Sequence, residues 1–233
     1  MKNFLLLVLI CITPGFAYGV GSYSKDLYGD LNIRTNHSFG DMYAGIRGSL
    51  SFLNWQNKYK DEMDVQLEAE SFNFKSMVGV NVFVGYQSID KWRTDLEFGY
   101  VGKYSEGETE YYTEYNTEKT KFDLETFYLM ANGYYDLKNG LYAGLGAGLA
   151  FVNTSIDTNV IAGNSATKVS PMGAIMVGWS HKLDEKVTFD LRYRFAAFHG
   201  GNLNIDTGAG TYIKTEIGFI KDNSLSAGIR YTF

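Results

Sequence analysis

The sequence predicts an all-β fold: a transmembrane antiparallel up-and-down β-barrel of eight strands, with short periplasmic turns and long extracellular loops. Three observations lead to this prediction: the composition, the regular spacing of turn-like clusters, and the alternation of apolar and charged positions. The 233 residues include 26 Gly and 18 Tyr but only 2 Pro, and aromatic residues make up 16% of the chain. This composition favours strands and tight turns over helices, and no linker divides the chain.

Three turn-like clusters of polar residues and glycine punctuate the chain at residues 88–91, 136–140 and 182–186. They recur at intervals of about 46 to 48 residues. Counting one such interval towards the N-terminus from the first cluster reaches Met42, where strand-like sequence begins. Each interval holds an apolar-alternating run, a polar stretch and a second such run. Each interval therefore predicts one hairpin with a long outer loop, and four hairpins make eight strands.

Alternate positions of the proposed strands are uncharged and largely apolar, as expected of a surface that faces lipid. In the second strand these positions are Val78, Val80, Val82 and Val84. In the fourth strand the positions assigned to lipid are Phe122, Leu124, Tyr128, Met130 and Tyr134. A shift of register by one residue would turn the charged positions towards lipid, where each Arg costs about 2 to 4 kcal/mol near the midplane.

The intervening positions carry charges of both signs, which we assign to the barrel interior. The predicted interior charge network consists of Arg47, Asp95, Glu97, Asp123, Glu125, Asp190, Arg192, Arg194 and Arg230. Eight strands enclose an interior just wide enough to be filled by side chains. We therefore expect paired charges to plug the lumen and to keep any conductance small.

Periodicity alone leaves one alternative open, a soluble barrel of the lipocalin kind with its apolar face inward. Aromatic residues beside the predicted short turns favour the membrane orientation, because tryptophan and tyrosine concentrate at membrane interfaces. These residues are Trp92, Tyr134, Tyr135 and Trp179.

The first residues predict an exported protein. Residues 1–19 combine Lys2, a short apolar run over 4–12 and the breaker pair Pro14–Gly15, which is typical of a cleaved signal peptide. A retained anchor is the alternative, but the run is too short to span a bilayer. Residues 20–41 form a lead segment and 42–233 the barrel. The single cysteine, Cys11, lies in the signal, so no disulfide is expected in the mature chain.

Several segments resemble a known family. Residues 127–137 (FYLMANGYYDL), followed by 141–148 (LYAGLGAG), resemble the middle hairpin of opacity-family and OmpA-like eight-stranded outer-membrane barrels, the bacterial surface antigens. Residues 42–48 and 228–233 are similar to the first and last strands of that family. The resemblance implies localisation in the outer membrane of a Gram-negative bacterium. It also implies insertion by the outer-membrane assembly machinery, with Tyr231 and Phe233 in the final strand as the assembly signal.

No catalytic, metal or cofactor site is expected. The histidines His37, His181 and His199 lack a second ligand at metal-binding spacing, and the glycine-rich run 144–148 is not followed by the helix that a phosphate loop requires. A net charge of -5 argues against a nucleic-acid partner. His199 leaves one alternative open, a barrel enzyme that modifies outer-leaflet lipid.

The second outer loop, residues 105–120, is the richest candidate for ligand contact. It interleaves glutamates with Tyr111, Tyr112 and Tyr115, which offer aromatic anchors to a partner, although a plain hydrophilic loop is an equal interpretation. The leading hypothesis is a structural protein, adhesin or surface antigen that displays its loops to a host or surface ligand, surrounded by outer-membrane lipid. A small, weakly conducting porin and the lipid-modifying enzyme are the alternatives.

Overall fold

The computed structural model describes residues 41–60, 66–88, 91–113, 116–158, 164–206 and 212–233, which form a closed barrel of eight antiparallel strands. Each strand pairs with the next, and β8 closes the barrel on β1. The predicted fold is therefore confirmed, while the predicted signal peptide and almost all of the lead segment lie outside the described residues. The strands are β1 Asp41–Lys60, β2 Gln66–Gln87, β3 Trp92–Thr113, β4 Asn116–Asp136, β5 Leu141–Thr158, β6 Asn164–Lys182, β7 Val187–Asp206 and β8 Tyr212–Thr232.

The three predicted short turns lie where the sequence places them, after Gln87, Asp136 and Lys182. In the turn between β4 and β5, Asn139 and Gly140 adopt φ values of 61° and 80°. Asparagine and glycine are the residues that most readily accept this left-handed conformation. These turns define one end of the barrel, here called the turn end, and the opposite end is the hairpin end.

The strands are much longer than a membrane requires. They contain 18 to 22 residues, whereas about 9 to 11 suffice for a tilted strand to cross a bilayer. The segment 105–120, expected as a loop, is largely a continuation of β3 and β4, which pair as far as Thr113 with Asn116. Alternating Glu, Thr and Tyr form strands readily outside lipid, since neither face needs to be apolar there. Tyr111 and Tyr112 lie in β3, and Tyr115 lies outside the described residues.

A belt of exposed apolar side chains surrounds the turn-end half of the barrel. Trp92 packs edge-to-face on Tyr135 with ring centroids 5.0 Å apart, and Trp179 donates a hydrogen bond to the carbonyl of Asn139 (3.2 Å) beside the turn. Tyr134, predicted as part of this girdle, points inward instead. Members of the belt include Met42, Ile46, Leu50, Val78, Val80, Val82, Val84, Leu96, Phe98, Leu129, Leu141, Leu145, Ile175, Val177, Leu191, Leu225 and Ile229. Within the described residues, no helix has the length and apolarity needed to cross a membrane.

The predicted orientation of β4 is wrong. Leu124, Tyr128 and Met130 are fully buried, whereas Leu129 and Tyr135 on the other face are exposed. Both faces of this strand carry apolar side chains, so alternation did not distinguish them. Asp123 and Glu125, the acidic residues that guided the assignment, lie towards the hairpin end, past the apolar belt, where an outward charge does not meet lipid.

The barrel divides into two sheets towards the hairpin end. Pairing of β2 with β3 begins at the turn end and stops at Val80 opposite Tyr100, and pairing of β6 with β7 stops at Met172 opposite Phe198. The remaining lengths form one sheet in the order β7-β8-β1-β2 and another in the order β3-β4-β5-β6. We call the two unpaired boundaries the β2–β3 seam and the β6–β7 seam. Each begins near a glycine with positive φ, Gly102 (133°) and Gly201 (110°).

Candidate functional site

Glu97 on β3 is the centre of the polar interior. Arg192, on the opposite wall of the barrel, donates to both of its carboxylate oxygens, from Nη1 to Oε2 at 2.6 Å and from Nη2 to Oε1 at 2.8 Å. Nη1 of Arg47 lies 3.1 Å from Oε2, and the hydroxyl of Tyr128 also donates to this carboxylate. Such two-pronged, charge-assisted contacts are the strongest hydrogen bonds that proteins make. They tie β1, β3, β4 and β7 together across the lumen.

Further ion pairs extend the network around the wall. Nε of Arg47 donates to Oδ1 of Asp190 at 2.7 Å, and the hydroxyl of Tyr142 donates to the same oxygen at 3.0 Å. Nη2 of Arg194 lies 2.8 Å from Oδ2 of Asp222 on β8. All five side chains are buried, so each charge depends on its partners rather than on solvent. The lumen is filled at this level by paired charges.

Two arginines lie nearest the turn end, each over an aromatic ring. Nε of Arg93 donates to Oδ1 of Asp136 at 2.9 Å, and its guanidinium lies 4.6 Å from the ring centre of Tyr142. The guanidinium of Arg230 lies 5.1 Å from the ring centre of Tyr43. A cation over an aromatic face is attracted by the ring's negative π-cloud. These stacks close the interior towards the turn end.

An apolar layer fills the interior on the hairpin side of the charges. All eight strands contribute to it, and Trp55 and Tyr104 add an edge-to-face contact with centroids 5.6 Å apart. We call it the inner apolar layer, and it was not predicted from the sequence. Its buried members are Leu53, Trp55, Met77, Val101, Leu124, Tyr128, Met130, Ala150, Val152, Met172, Ala174, Ala196, Phe198, Ile217 and Ile220. Charges and apolar side chains therefore close the lumen one above the other.

Inward glycines make room for the aromatic rings of neighbouring strands. The ring of Tyr128 on β4 covers Gly99 on β3, and the ring of Tyr134 covers Gly144 on β5, so that a Cβ at either glycine would meet the ring. Glycine is needed at these positions because the ring occupies the space of its missing side chain. Each of these buried tyrosine rings therefore packs against a glycine on the neighbouring strand.

A matched pair of glycine substitutions tests this packing. Gly99→Ala is expected to lower the free energy of unfolding by about 1–3 kcal/mol, because the new methyl group displaces the ring of Tyr128. Gly133→Ala is the control, since a Cβ there has nothing within 4 Å. That control is expected to be neutral or slightly stabilising, because alanine restricts the unfolded chain. Denaturant titration of both variants folded into lipid vesicles measures the difference, and equal effects would contradict the packing.

Seven of the nine predicted interior charges have buried side chains in the lumen: Arg47, Asp95, Glu97, Asp190, Arg192, Arg194 and Arg230. Asp123 and Glu125 do not lie in the lumen, although Asp123 is also buried, and their assignment to the interior is corrected. They lie on the outer face of β4, where Nζ of Lys103 is 2.9 Å from Oδ2 of Asp123 and the hydroxyl of Tyr100 donates to Glu125 at 3.2 Å. Ser105 also donates a hydrogen bond to Asp123.

Sequence reasoning missed two interior charges, Arg93 and Asp222. Arg93 could have been recognised from its position, because it lies two residues before Asp95 and four before Glu97, on the same face of β3. Asp222 likewise shares the inward phase of Ser224 and Ser226 on β8, and all of these side chains are buried. Following the inward face of each strand to its end would have found both.

The remaining candidate residues lie apart from the interior network. His199 accepts a hydrogen bond at Nδ1 from the backbone N–H of Gly201 (3.2 Å), and its ring centre is 5.4 Å from that of Phe219. Tyr231 and Phe233 are exposed at the turn end with ring centroids 5.5 Å apart, and their role in assembly stays a prediction. Among the residues that the structure describes, no group of three or more His, Cys, Asp or Glu is placed to hold a metal ion.

A closed eight-stranded wall with an apolar exterior and a charged interior defines an integral membrane β-barrel, and it contradicts the soluble alternative with the faces reversed. Residues 32–233 match the family described as "Outer membrane protein beta-barrel domain". The chain belongs to this family, and its localisation is the outer membrane. No curated protein sequence is similar enough to the chain to count as a match.

Three solved structures illustrate the likeness. The outer membrane protein OprG from Pseudomonas aeruginosa is 12% identical with a TM-score of 0.52, and the match covers 84% of this chain and 97% of OprG. Neisserial surface protein A is 18% identical with a TM-score of 0.44, and the match covers 82% and 97%. The attachment invasion locus protein Ail of Yersinia pestis is 12% identical with a TM-score of 0.46, and the match covers 84% and 99%. At these identities, the similarity to OprG shows the fold alone.

Proposed function

We propose that this chain is a non-enzymatic outer-membrane barrel that serves as a platform for its four hairpin extensions, with an adhesive or surface-antigen role. The observation that carries the proposal is the closed lumen. Glu97 and Arg192 meet across the barrel, and the inner apolar layer lies above them. A plugged barrel cannot owe its function to a wide pore, so its specific contacts are assigned to the parts that extend past the membrane.

The extensions have the length that display requires. β3 continues from Val101 to Thr113 beyond its last pairing with β2, which corresponds to roughly 40 Å of strand at about 3.3 Å per residue. Extensions of this length, built on a rigid wall, hold their tips clear of the lipid surface. Tyr111 and Tyr112 near the tip of this hairpin remain the proposed ligand contacts.

Electrical recording tests the closed lumen. The purified protein in a planar lipid bilayer is expected to give no stable, large single-channel current, because salt bridges and apolar side chains among the described residues fill the lumen. A porin recorded in the same bilayer is the positive control. A stable, large current would favour the porin alternative and contradict the proposal.

Surface proteolysis of intact cells tests display directly. Cleavage is expected near residues 58, 110, 160 and 205 and is expected to spare the turn-end segments near 90, 138 and 184. Variants that lack one hairpin tip are expected to fold but to lose attachment to cells or matrix. Tip deletions that leave attachment unchanged would remove the adhesive role.

We also propose that the chain reaches the membrane by export with a cleaved signal peptide. Lys2, the short apolar run 4–12 and the break at Pro14 support this, and cleavage after Ala17 or Gly19 would leave a small residue at the cut. The mass of the protein purified from outer membranes tests the proposal. A mass that includes residues 1–17 would contradict it.

A further inference from the structure

We infer that the turn end of the lumen contains a binding site for a small oxyanion, a phosphate or carboxylate group, with Arg230 as its main ligand. The site lies at the opposite end of the barrel from the hairpin tips. The inference therefore goes beyond the proposed surface display and does not depend on it. It starts from a difference between Arg230 and the other arginines of the interior.

Arg230 on β8 is a buried cation without a carboxylate partner in the described barrel. Arg47, Arg93, Arg192 and Arg194 each have a nitrogen 2.6 to 2.9 Å from a carboxylate oxygen. Arg230 is also buried, with 5% of its surface exposed, but its Nε and Nη1 have no hydrogen-bond partner among the described residues. A buried charge is costly unless another group replaces its lost hydration. An anion from outside the chain would supply the missing counter-charge.

The groups around Arg230 hold it in place without neutralising it. Its guanidinium lies 5.1 Å from the ring centre of Tyr43. The residue opposite Arg230 on β1 is Gly45, which is covered by the ring of Phe83, and the guanidinium of Arg47 stacks on that ring at 3.7 Å. Aromatic rings attract a cation but carry no net charge. Arg230 therefore adjoins a ring, and not a carboxylate, on the side of the central ion pairs.

The side chain of Arg230 is directed towards the turn end. On β1 its own strand partner is Gly45, but its guanidinium lies beside Tyr43, which is the partner of Thr232 at the end of β8. The lumen on the other side is filled by the ion pairs of Glu97 and by the inner apolar layer. The turn end is therefore the side from which a ligand reaches Arg230.

The donors at this position fit an oxyanion. A guanidinium presents its N–H groups in a planar fork that matches two oxygens of a phosphate or carboxylate. Thr188 lies directly opposite Arg230 on β7 and is buried on the same inward face, so its hydroxyl adds a second donor. Because Arg230 is almost fully buried, the ligand is a single small group and not an extended polyanion.

An NMR titration of the protein in maltoside micelles tests the inference, since this detergent carries neither phosphate nor carboxylate. The protein contains isotope-labelled arginine, and the side-chain signal of Arg230 is identified by its loss in Arg230→Met. The probes are inorganic phosphate and acetate, with sodium chloride at matched ionic strength as the reference. We expect the Arg230 signal to shift and saturate with at least one probe, and the tighter probe identifies the class of oxyanion. No saturable shift, or the same shift with chloride, would overturn the inference.

A pair of variants separates a local site from the net charge of the turn end. Arg230→Met keeps a long apolar stem but removes the charge, and it is expected to bind the tighter probe at least about tenfold more weakly in calorimetric titration. Lys138→Gln is the matched control, because it removes one positive charge from the turn between β4 and β5. The control is expected to bind like the unmodified protein. Equal weakening in both variants would contradict a site at Arg230.

Denaturant titration without phosphate or acetate gives an independent readout. Arg230→Met breaks no ion pair of the described barrel, so it is expected to unfold at the same denaturant concentration as the unmodified protein or at a higher one. Arg192→Met leaves Glu97 without its two-pronged partner and is expected to unfold at a lower concentration. Equal destabilisation by the two substitutions would show that the protein itself neutralises Arg230, and the inference would fail. Bilayer recording and surface proteolysis do not involve Arg230, so the proposed function is judged separately.

Discussion

Replacing Glu97 by glutamine is expected to lower the free energy of unfolding by about 3–5 kcal/mol, the typical cost of removing one partner from a buried ion pair. Arg192 is the residue most affected, since both of its Nη atoms donate to this carboxylate. Arg47 keeps Asp190 as a partner, so its loss is smaller. Denaturant titration of the variant folded into lipid vesicles measures the change.

Two further variants make this result interpretable. Glu125→Gln changes a carboxylate on the outer face, where its partner is the hydroxyl of Tyr100, and is expected to cost less than about 1 kcal/mol. Glu97→Gln combined with Arg192→Met removes both buried charges and is expected to recover part of the lost stability. A cost for Glu97→Gln no larger than that of Glu125→Gln would show that Glu97 is not the centre of the interior network.

Placing an arginine at Val82 is expected to cost about 2–4 kcal/mol, because its side chain would enter hydrocarbon near the midplane. Val82 lies in the middle of the apolar belt, opposite Ile46 on β1 and Phe98 on β3. The measurement is again denaturant titration in vesicles. It tests which face of the wall contacts lipid.

The matched control for this variant is Thr167→Arg. Thr167 is exposed on β6, towards the hairpin end from Val169, where the apolar belt ends on that strand. Arginine near the interface costs about 0 to 1 kcal/mol. If the two substitutions cost the same, the belt assigned to lipid does not lie in hydrocarbon.

Local signals in the sequence were sufficient for the architecture. The turn clusters at 88–91, 136–140 and 182–186 separate strands that end at Gln87, Asp136 and Lys182. The run from Val78 to Val84 alternates cleanly, because its outward side is apolar and its inward side contains Asn81. Turn chemistry and alternation act over a few residues, so one sequence is enough to recognise them.

Features that depend on distant residues were not predictable in the same way. In β4, Leu129 and Met130 are both apolar, so the strand itself does not show which of them faces the lumen. The inward face is decided by Tyr128 and Tyr134, which share that face with Met130. Tyr128 bonds to Glu97, and Tyr134 bonds to Arg192. The inner apolar layer was missed because its members come from all eight strands. The seams also escaped prediction, since an unpaired edge is a relation between two strands and not a property of either.

The division of the wall into two sheets has a consequence for how this chain tolerates change. The turn-end half contains a complete ring of backbone pairing and its own ion pairs, so it holds its shape whatever the hairpin tips contain. We therefore expect that the sequence at the tips can change, lengthen or be exchanged without loss of insertion. Grafting a peptide between β3 and β4 tests this expectation, because the closed turn-end half should still insert into the membrane.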